Sequence, residues 1–278
     1  MRVKDAILAI LTSLASGILL ALILWILTSI FIEGLVPFLK EGLGVLIEDP
    51  IIAPSKHFGG IGPMLYGTFV IVGFSVLIGL PIGFFTGLFL YEMSETRLAK
   101  LCRSFLDMLV EAPTVCYGLV VYLTLILFTR TEAAIFSSLC LVFILVPYVA
   151  IQTCDVLKTL PPELKETCYA LGLSTWQTLR VLLRSCSRAL VANIMVSIAR
   201  ILGETGPLLI TALQYARWGP WIFNPFTRNA PALTTFIYFA AFSPFKNVEI
   251  LGWAACLVLT VLTMMLFIIA RVLIGKRS

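Results

Sequence analysis

The sequence predicts an all-α membrane protein with six transmembrane helices, and three observations predict it. The 278 residues are 60% hydrophobic and only 13% charged, with a mean hydropathy of +1.03. Soluble domains run about 45–50% apolar and 25% charged. Apolar runs near the roughly 20 residues that cross a bilayer fall at 6–30, 65–91, 105–128, 133–154, 187–213 and 248–272. Of the 20 Lys and Arg, thirteen lie in the termini and alternate connections on one side of this layout, six lie on the other, and Arg200 sits inside a run. Positive segments stay in the cytoplasm, so both chain ends are expected there. The net charge of +5 then reflects orientation, and no nucleic-acid partner is expected.

The first run, at 6–30, exceeds the roughly 7–15 residues of a secretion-signal core and reads as a retained span. With the Gly-, Pro- and acid-rich outer segment that follows, it forms a first part, 1–63, ahead of a five-helix core at 64–272 and a cytoplasmic tail at 273–278. The second run contains GLPIGFFTG, which sets Gly79, Gly83 and Gly87 at four-residue steps. Small residues at that spacing let helix backbones approach closely in lipid, either within the chain or across an oligomer interface. Pro81 should kink this helix, and Pro113 and Pro147 mark bends in the third and fourth spans. Asp107 and Glu111 share a face at the start of the third span. They suit a solvated boundary, with gating as the second reading.

The outer segment 214–247 carries Trp218, Trp221, Phe223 and Phe226 together with Arg217, Arg228 and several prolines. Trp and Tyr favour the membrane interface, and PALTTFIYFAAF reads as a short helix lying in or dipping into it. Such a surface can anchor the chain or receive a partner. The seven cysteines show no CxxC spacing, and the single histidine, His57, completes no familiar zinc pattern. They read as small hydrophobes, and no metal is expected.

Residues 156–187 join spans four and five through a segment longer than a helix connection requires. Pro161 and Pro162 suit a helix start, with Glu163 in its first turn. The helix should stop at Gly172, a natural left-handed C-terminal residue. Ser174 and Gln177 then fit a capping box that opens a second helix. Two short helices around a glycine elbow follow from local rules, in a shape that fits a groove on another protein.

Glu166-Thr-Cys with Gly172 six residues on resembles the EAA loop of ABC-type import permeases. Thr167 and Cys168 stand where that family has two alanines, and Arg184-Ser185 where it has Leu-Pro. The run ARILGETGPLL at 199–209 is similar to the fifth-span signature of phosphate permeases of the PstA type, AR-x-x-GET-x-PLL. The likeness extends over most of the chain from about residue 64. It implies the type I ABC permease fold, a place in the bacterial inner membrane, and Glu166, Ala170, Gly172 and Leu173 as the surface that docks a cytoplasmic ATPase. It also implies four partners: a PstC-type sister permease, a PstB-type ATPase dimer that binds the ATP, a PstS-type phosphate-binding protein outside, and inorganic phosphate. No cofactor is expected in this chain.

Arg200 and Glu204 stand one helical turn apart inside an apolar run, where one ionised side chain costs roughly 2.5–3.5 kcal/mol. Pairing reduces that cost, yet buried pairs often only break even. Arginine presents fixed planar donors that match an oxyanion. Gly203, Gly206 and Pro207 permit a broken helix, a feature of transport sites. The reading is a substrate pathway through Arg200, Gly203, Glu204 and Thr205, against a structural salt bridge as the plainer account. Rival functions are an intramembrane enzyme, a secondary transporter, a membrane scaffold and a permease for another oxyanion or small solute. HExxH, GxSxG and Walker A motifs are absent from the sequence, so no catalysis is expected here and the energy must come from another chain.

Overall fold

A computed structural model describes residues 3–275. Arg2, Lys276, Arg277 and the end of the expected tail lie outside the described residues. The helices in chain order are α1 (Val3–Glu41), α2 (Gly62–Glu92), α3 (Arg97–Glu111), α4 (Val115–Val121), α5 (Leu127–Thr129), α6 (Ala134–Lys158), α7 (Pro162–Ala170), α8 (Thr175–Ser185), α9 (Ser187–Leu202), α10 (Leu208–Thr211), α11 (Leu233–Ala241) and α12 (Lys246–Gly275). Among the described residues there is no strand, only isolated bridges at Pro50–Gly59 and Leu213–Pro231.

Four spans are single long apolar helices, and two more arise if each of two bent helix pairs counts as one crossing. The third expected span is one of these, bent by 104° between Arg97–Glu111 and Val115–Thr129. The cause is local. Ala112 precedes Pro113, a position biased away from helical ψ, and it adopts φ −66°, ψ 140°. α3 is accordingly an amphipathic elbow. Asp107 lies on its polar face, paired with Arg103 at 3.2 Å, and not in a straight span. The fifth span bends by 72° between α8 and α9, where the sequence places the end of the connecting segment.

α1 also departs from expectation by continuing past residue 30 to Glu41. Its last turns pack on α12, close enough that a Cβ at Gly34 would fall 2.8 Å from the Trp253 carbonyl oxygen. Tertiary contact there extends a helix that composition alone would end. Residues 10–26 of α1 are exposed, so this stretch makes little contact with the rest of its own chain.

The centre of the molecule is the α2–α6 pair, and the glycine stripe explains it. A Cβ at Gly83 would stand 2.8 Å from Val149 Cβ and 2.9 Å from the Val146 carbonyl oxygen. At Gly87 it would stand 2.6 Å from the Ala150 carbonyl oxygen. All three glycines therefore serve packing inside the chain. The buried Ser75 hydroxyl adds a hydrogen bond to the Ser138 carbonyl, at 2.9 Å. α9 packs on both α6 and α2, α12 packs on α9, and the core of Ile71, Leu141, Leu145 and Ile201 lies where α2, α6 and α9 meet. The outer loops are tied together, since Trp218 donates its backbone N–H to Asp49 Oδ1 at 2.7 Å and its indole N–H to the Ile47 carbonyl at 2.6 Å.

Gly83→Leu and Gly87→Leu should each destabilise the folded chain by about 1–3 kcal/mol through overpacking. Gly73→Ala, where nothing lies within 4 Å, should be close to neutral. Thermal unfolding in detergent checks this, and equal melting points for all three would remove the stripe from the packing.

Candidate translocation site and docking elbow

α9 ends at Leu202, and the chain runs irregularly through Gly203–Pro207 before α10 resumes. Irregular backbone is tolerated at membrane depth only where other protein groups or a water-filled cavity satisfy it. Several such groups are present. Ser137 Oγ donates to the Thr211 carbonyl at 2.8 Å, and the Asn229 amide donates to the same oxygen at 3.0 Å. The Thr211 hydroxyl donates back to the Pro207 carbonyl at 3.0 Å, and Thr235 Oγ1 donates to the Leu213 carbonyl at 2.7 Å. α4 then presses on the break. A Cβ at Gly118 would lie 2.6 Å from the Pro207 carbonyl oxygen, and one at Gly206 would lie 3.3 Å from Thr114 Oγ1.

Arg200 stands on the last turn of α9, and Glu204 lies within the break. Their closest charged atoms are 3.7 Å apart, with the side chains 42% and 13% exposed. That is an ion pair without a hydrogen bond. The guanidinium carbon also lies 4.3 Å from the centre of the Tyr148 ring on α6, a cation–π contact that grips the charge and uses none of its N–H groups. Among the described residues no hydrogen bond consumes an Arg200 donor. Gly203 is exposed beside it, and Glu204 and Thr205 are half-buried. The four residues named from sequence thus lie together, Arg200 on the last turn of α9 and Gly203, Glu204 and Thr205 in the break. Tyr148 and Gly118 are additions, far from the turn in sequence and marked by no local signal.

The connecting segment forms the expected elbow. α7 closes with a Schellman motif, in which Leu173 N–H donates to the Cys168 carbonyl at 3.1 Å and Gly172 N–H to the Tyr169 carbonyl at 2.9 Å. Gly172 takes φ +78°, which side chains disfavour. Ser174 N–H donates to Gln177 Oε1 at 2.9 Å, and Gln177 N–H to Ser174 Oγ at 3.4 Å. Glu166, Ala170 and Gly172 are exposed and Leu173 is half-buried. Leu171 and Trp176, which local rules did not single out, offer large apolar surface at 74% and 57% exposure.

The elbow joins the membrane bundle through apolar packing of Leu164 and Leu182 against Leu88 and Leu157, and through a polar link. Lys165 Nζ lies 3.1 Å from Glu92 Oε2 at the end of α2, and the Tyr169 hydroxyl donates to Glu92 Oε1 at 3.3 Å. Burial alone would lower the Lys165 pKa, but the hydrogen bond and charge of Glu92 outweigh it and raise the pKa above its ordinary value. A pKa raised on folding stabilises the protein in full below the unfolded value. That contribution fades only as pH climbs through the folded one, so the link persists across the physiological range.

The model of the family described as "Binding-protein-dependent transport system inner membrane component" matches residues 79–277. The chain belongs to this family. Members of it are inner-membrane permease components of ABC transporters. Among curated relatives, "Phosphate transport system permease protein PstA" of Xylella fastidiosa (strain 9a5c) is 32% identical over 240 residues, covering 85% of this chain and 82% of that protein. The protein of the same description from Yersinia pestis is 30% identical over 259 residues, covering 92% and 85%. The one from Pasteurella multocida (strain Pm70) is 29% identical over 281 residues, covering 100% and 96%. A chain of the inward-facing MetNI methionine ABC transporter superposes with a TM-score of 0.60 at 17% identity, over 79% of this chain and 95% of that one. At that identity the likeness is one of fold, and it confirms the type I permease architecture for this permease component.

Glu92→Gln removes the charge but keeps the shape at the elbow's attachment. Losing a charge-assisted hydrogen bond at a half-buried site should cost about 1–3 kcal/mol. It should raise amide hydrogen exchange in residues 162–170 while leaving α6 protected. Unchanged exchange in α7 would show that the elbow is held by something else.

Proposed function

We propose that this chain forms one half of the translocation path of an ATP-driven importer of inorganic phosphate in a bacterial inner membrane, with both termini in the cytoplasm. A PstC-type sister permease supplies the other half, a PstB-type ATPase dimer binds and hydrolyses the ATP, and a PstS-type binding protein delivers phosphate from outside. The chain itself catalyses nothing. The names of the curated relatives support phosphate as the substrate.

The single observation that carries the reading is the state of Arg200. Its guanidinium is held by a ring face and a carboxylate 3.7 Å away, and its N–H donors are left for a ligand. A phosphate oxygen can therefore take up those donors without displacing a protein hydrogen bond, and charge-assisted pairs of this kind are strong. Glu204 limits the strength. Conduction needs a site tight enough to enter and weak enough to leave, and a carboxylate beside the guanidinium reduces its field on an anion. The 42% exposure of the Arg200 side chain fits a path completed by a second subunit.

The elbow supplies the motion. Glu166, Ala170, Gly172 and Leu173, with Leu171 and Trp176, form a projecting surface that seats in the ATPase, and Lys165–Glu92 passes its displacement to α2. α2 is packed along α6, which carries Tyr148 against Arg200.

ATP-dependent uptake in proteoliposomes holding all subunits tests the reading. Arg200→Gln should cut phosphate uptake at least tenfold with the complex still assembled. Glu204→Gln should slow the maximal rate by holding the anion longer. Sulfate and molybdate should compete poorly with phosphate in the intact system. Normal uptake by both variants removes the pair from the path, and sulfate uptake equal to phosphate overturns the substrate.

A further inference from the structure

Below Arg200 the seam between α6 and α9 carries a second set of polar groups. On α6, Tyr148 and Gln152 stand four residues apart; on α9, Asn193, Ser197 and Arg200 recur at four- and three-residue steps. Residues so spaced lie on one helix face. The helices pair antiparallel, and two contacts fix the register. Tyr148 meets Arg200, and Ser197 Oγ donates to Gln152 Oε1 at 2.9 Å. Gln152 and Asn193 are half-buried, while Ser197 is 1% exposed.

The donors on this face are not spent. Ser197 occupies the Gln152 carbonyl oxygen, and among the described residues no hydrogen bond takes the Gln152 NH2 or the Asn193 side-chain amide. Neither amide is among the buried polar atoms lacking a partner, so both reach an accessible surface. Polar groups left open on a membrane-embedded face are costly and mark substrate routes more often than packing. Neutral donors also bind an anion more weakly than a guanidinium does.

We propose that the Gln152 and Asn193 amides form a second oxyanion-binding station, about 6–10 Å from Arg200 toward the α7–α8 elbow by helix rise. The proposal rests on the reading of Arg200 as a pathway residue. An anion leaving Arg200 exchanges its charge-assisted contact for neutral amide donors, a weaker site that it can leave readily. Ser197 is a positioning residue. Its hydroxyl lies 2.9 Å from Gln152 Oε1 and 3.0 Å from the Asn193 carbonyl, and shares its proton between them; with Gln152 Oε1 so placed, the NH2 is the group offered to the anion.

The test uses the whole transporter in proteoliposomes with radiolabelled inorganic phosphate. Gln152→Glu retains the oxygen that accepts from Ser197 and the shape of the side chain, so a structural role would survive it; only a passing anion meets the new charge. Uptake should fall at least tenfold, with the melting temperature within 2 °C of the parent and the complex intact. Should Gln152→Glu fail to assemble, Asn193→Asp gives the same reading from α9, with at least a fivefold fall expected. Ser197→Ala should reduce the maximal rate two- to fivefold, and Ser197→Thr, which restores the hydroxyl, should recover it. Uptake within twofold of the parent in Gln152→Glu or in Asn193→Asp overturns the station. Arg200→Gln, measured alongside, separates the two claims: if it abolishes uptake while the amide variants transport normally, only the station is lost. Normal uptake in Arg200→Gln removes the pathway reading itself.

Discussion

The hydrocarbon core of a bilayer offers no water to backbone or charge, so every polar group placed there needs a partner or an aqueous cavity. That constraint governs the arrangement around residues 200–213. The chain breaks α9 at Gly203, and beyond the break Thr211 bonds back to the Pro207 carbonyl while Ser137, Asn229 and Thr235, from other parts of the fold, meet the Thr211 and Leu213 carbonyls. Among the described residues Arg200 makes no hydrogen bond with its donors, and it is held by an aromatic face and one loosely placed carboxylate. A structural salt bridge would close to hydrogen-bond distance and bury both partners. Instead the pair is spaced at 3.7 Å with the arginine partly accessible.

α2 and α6 approach through glycines that leave no room for side chains, so they move as one body. The elbow of α7 and α8 is joined to that body through Glu92 and the Leu88–Leu157–Leu182 cluster, while its exposed tip carries Leu171 and Trp176. Force applied at the tip therefore has a short route to Tyr148 and Arg200, through α7, the end of α2 and the α2–α6 seam.

Local features were legible in the sequence. The stop at Gly172 and the capping box at Ser174–Gln177 appear where turn chemistry puts them, because each depends on residues within one turn. The glycine steps at 79, 83 and 87 were legible as close packing, although their partner on α6 was not. What escaped depends on distant parts of the chain. Nothing near residue 30 signals that α1 continues to Glu41, since the reason is contact with Trp253 and Leu257. The apolar run at 105–128 conceals a bend of 104°, which Pro113 marks but does not quantify. Arg200 and Glu204 could be paired from their spacing, whereas Tyr148 and Gly118 could be added only once α6 and α4 were set beside the break.

The most direct measurement is the reactivity of a cysteine placed at Thr205, in an assembled transporter whose seven native cysteines have been replaced. An anionic thiol reagent should modify it at a rate that changes when ATP is hydrolysed and that falls when phosphate is supplied through the binding protein. A rate indifferent to both would mean that the broken turn beside Arg200 faces no substrate route.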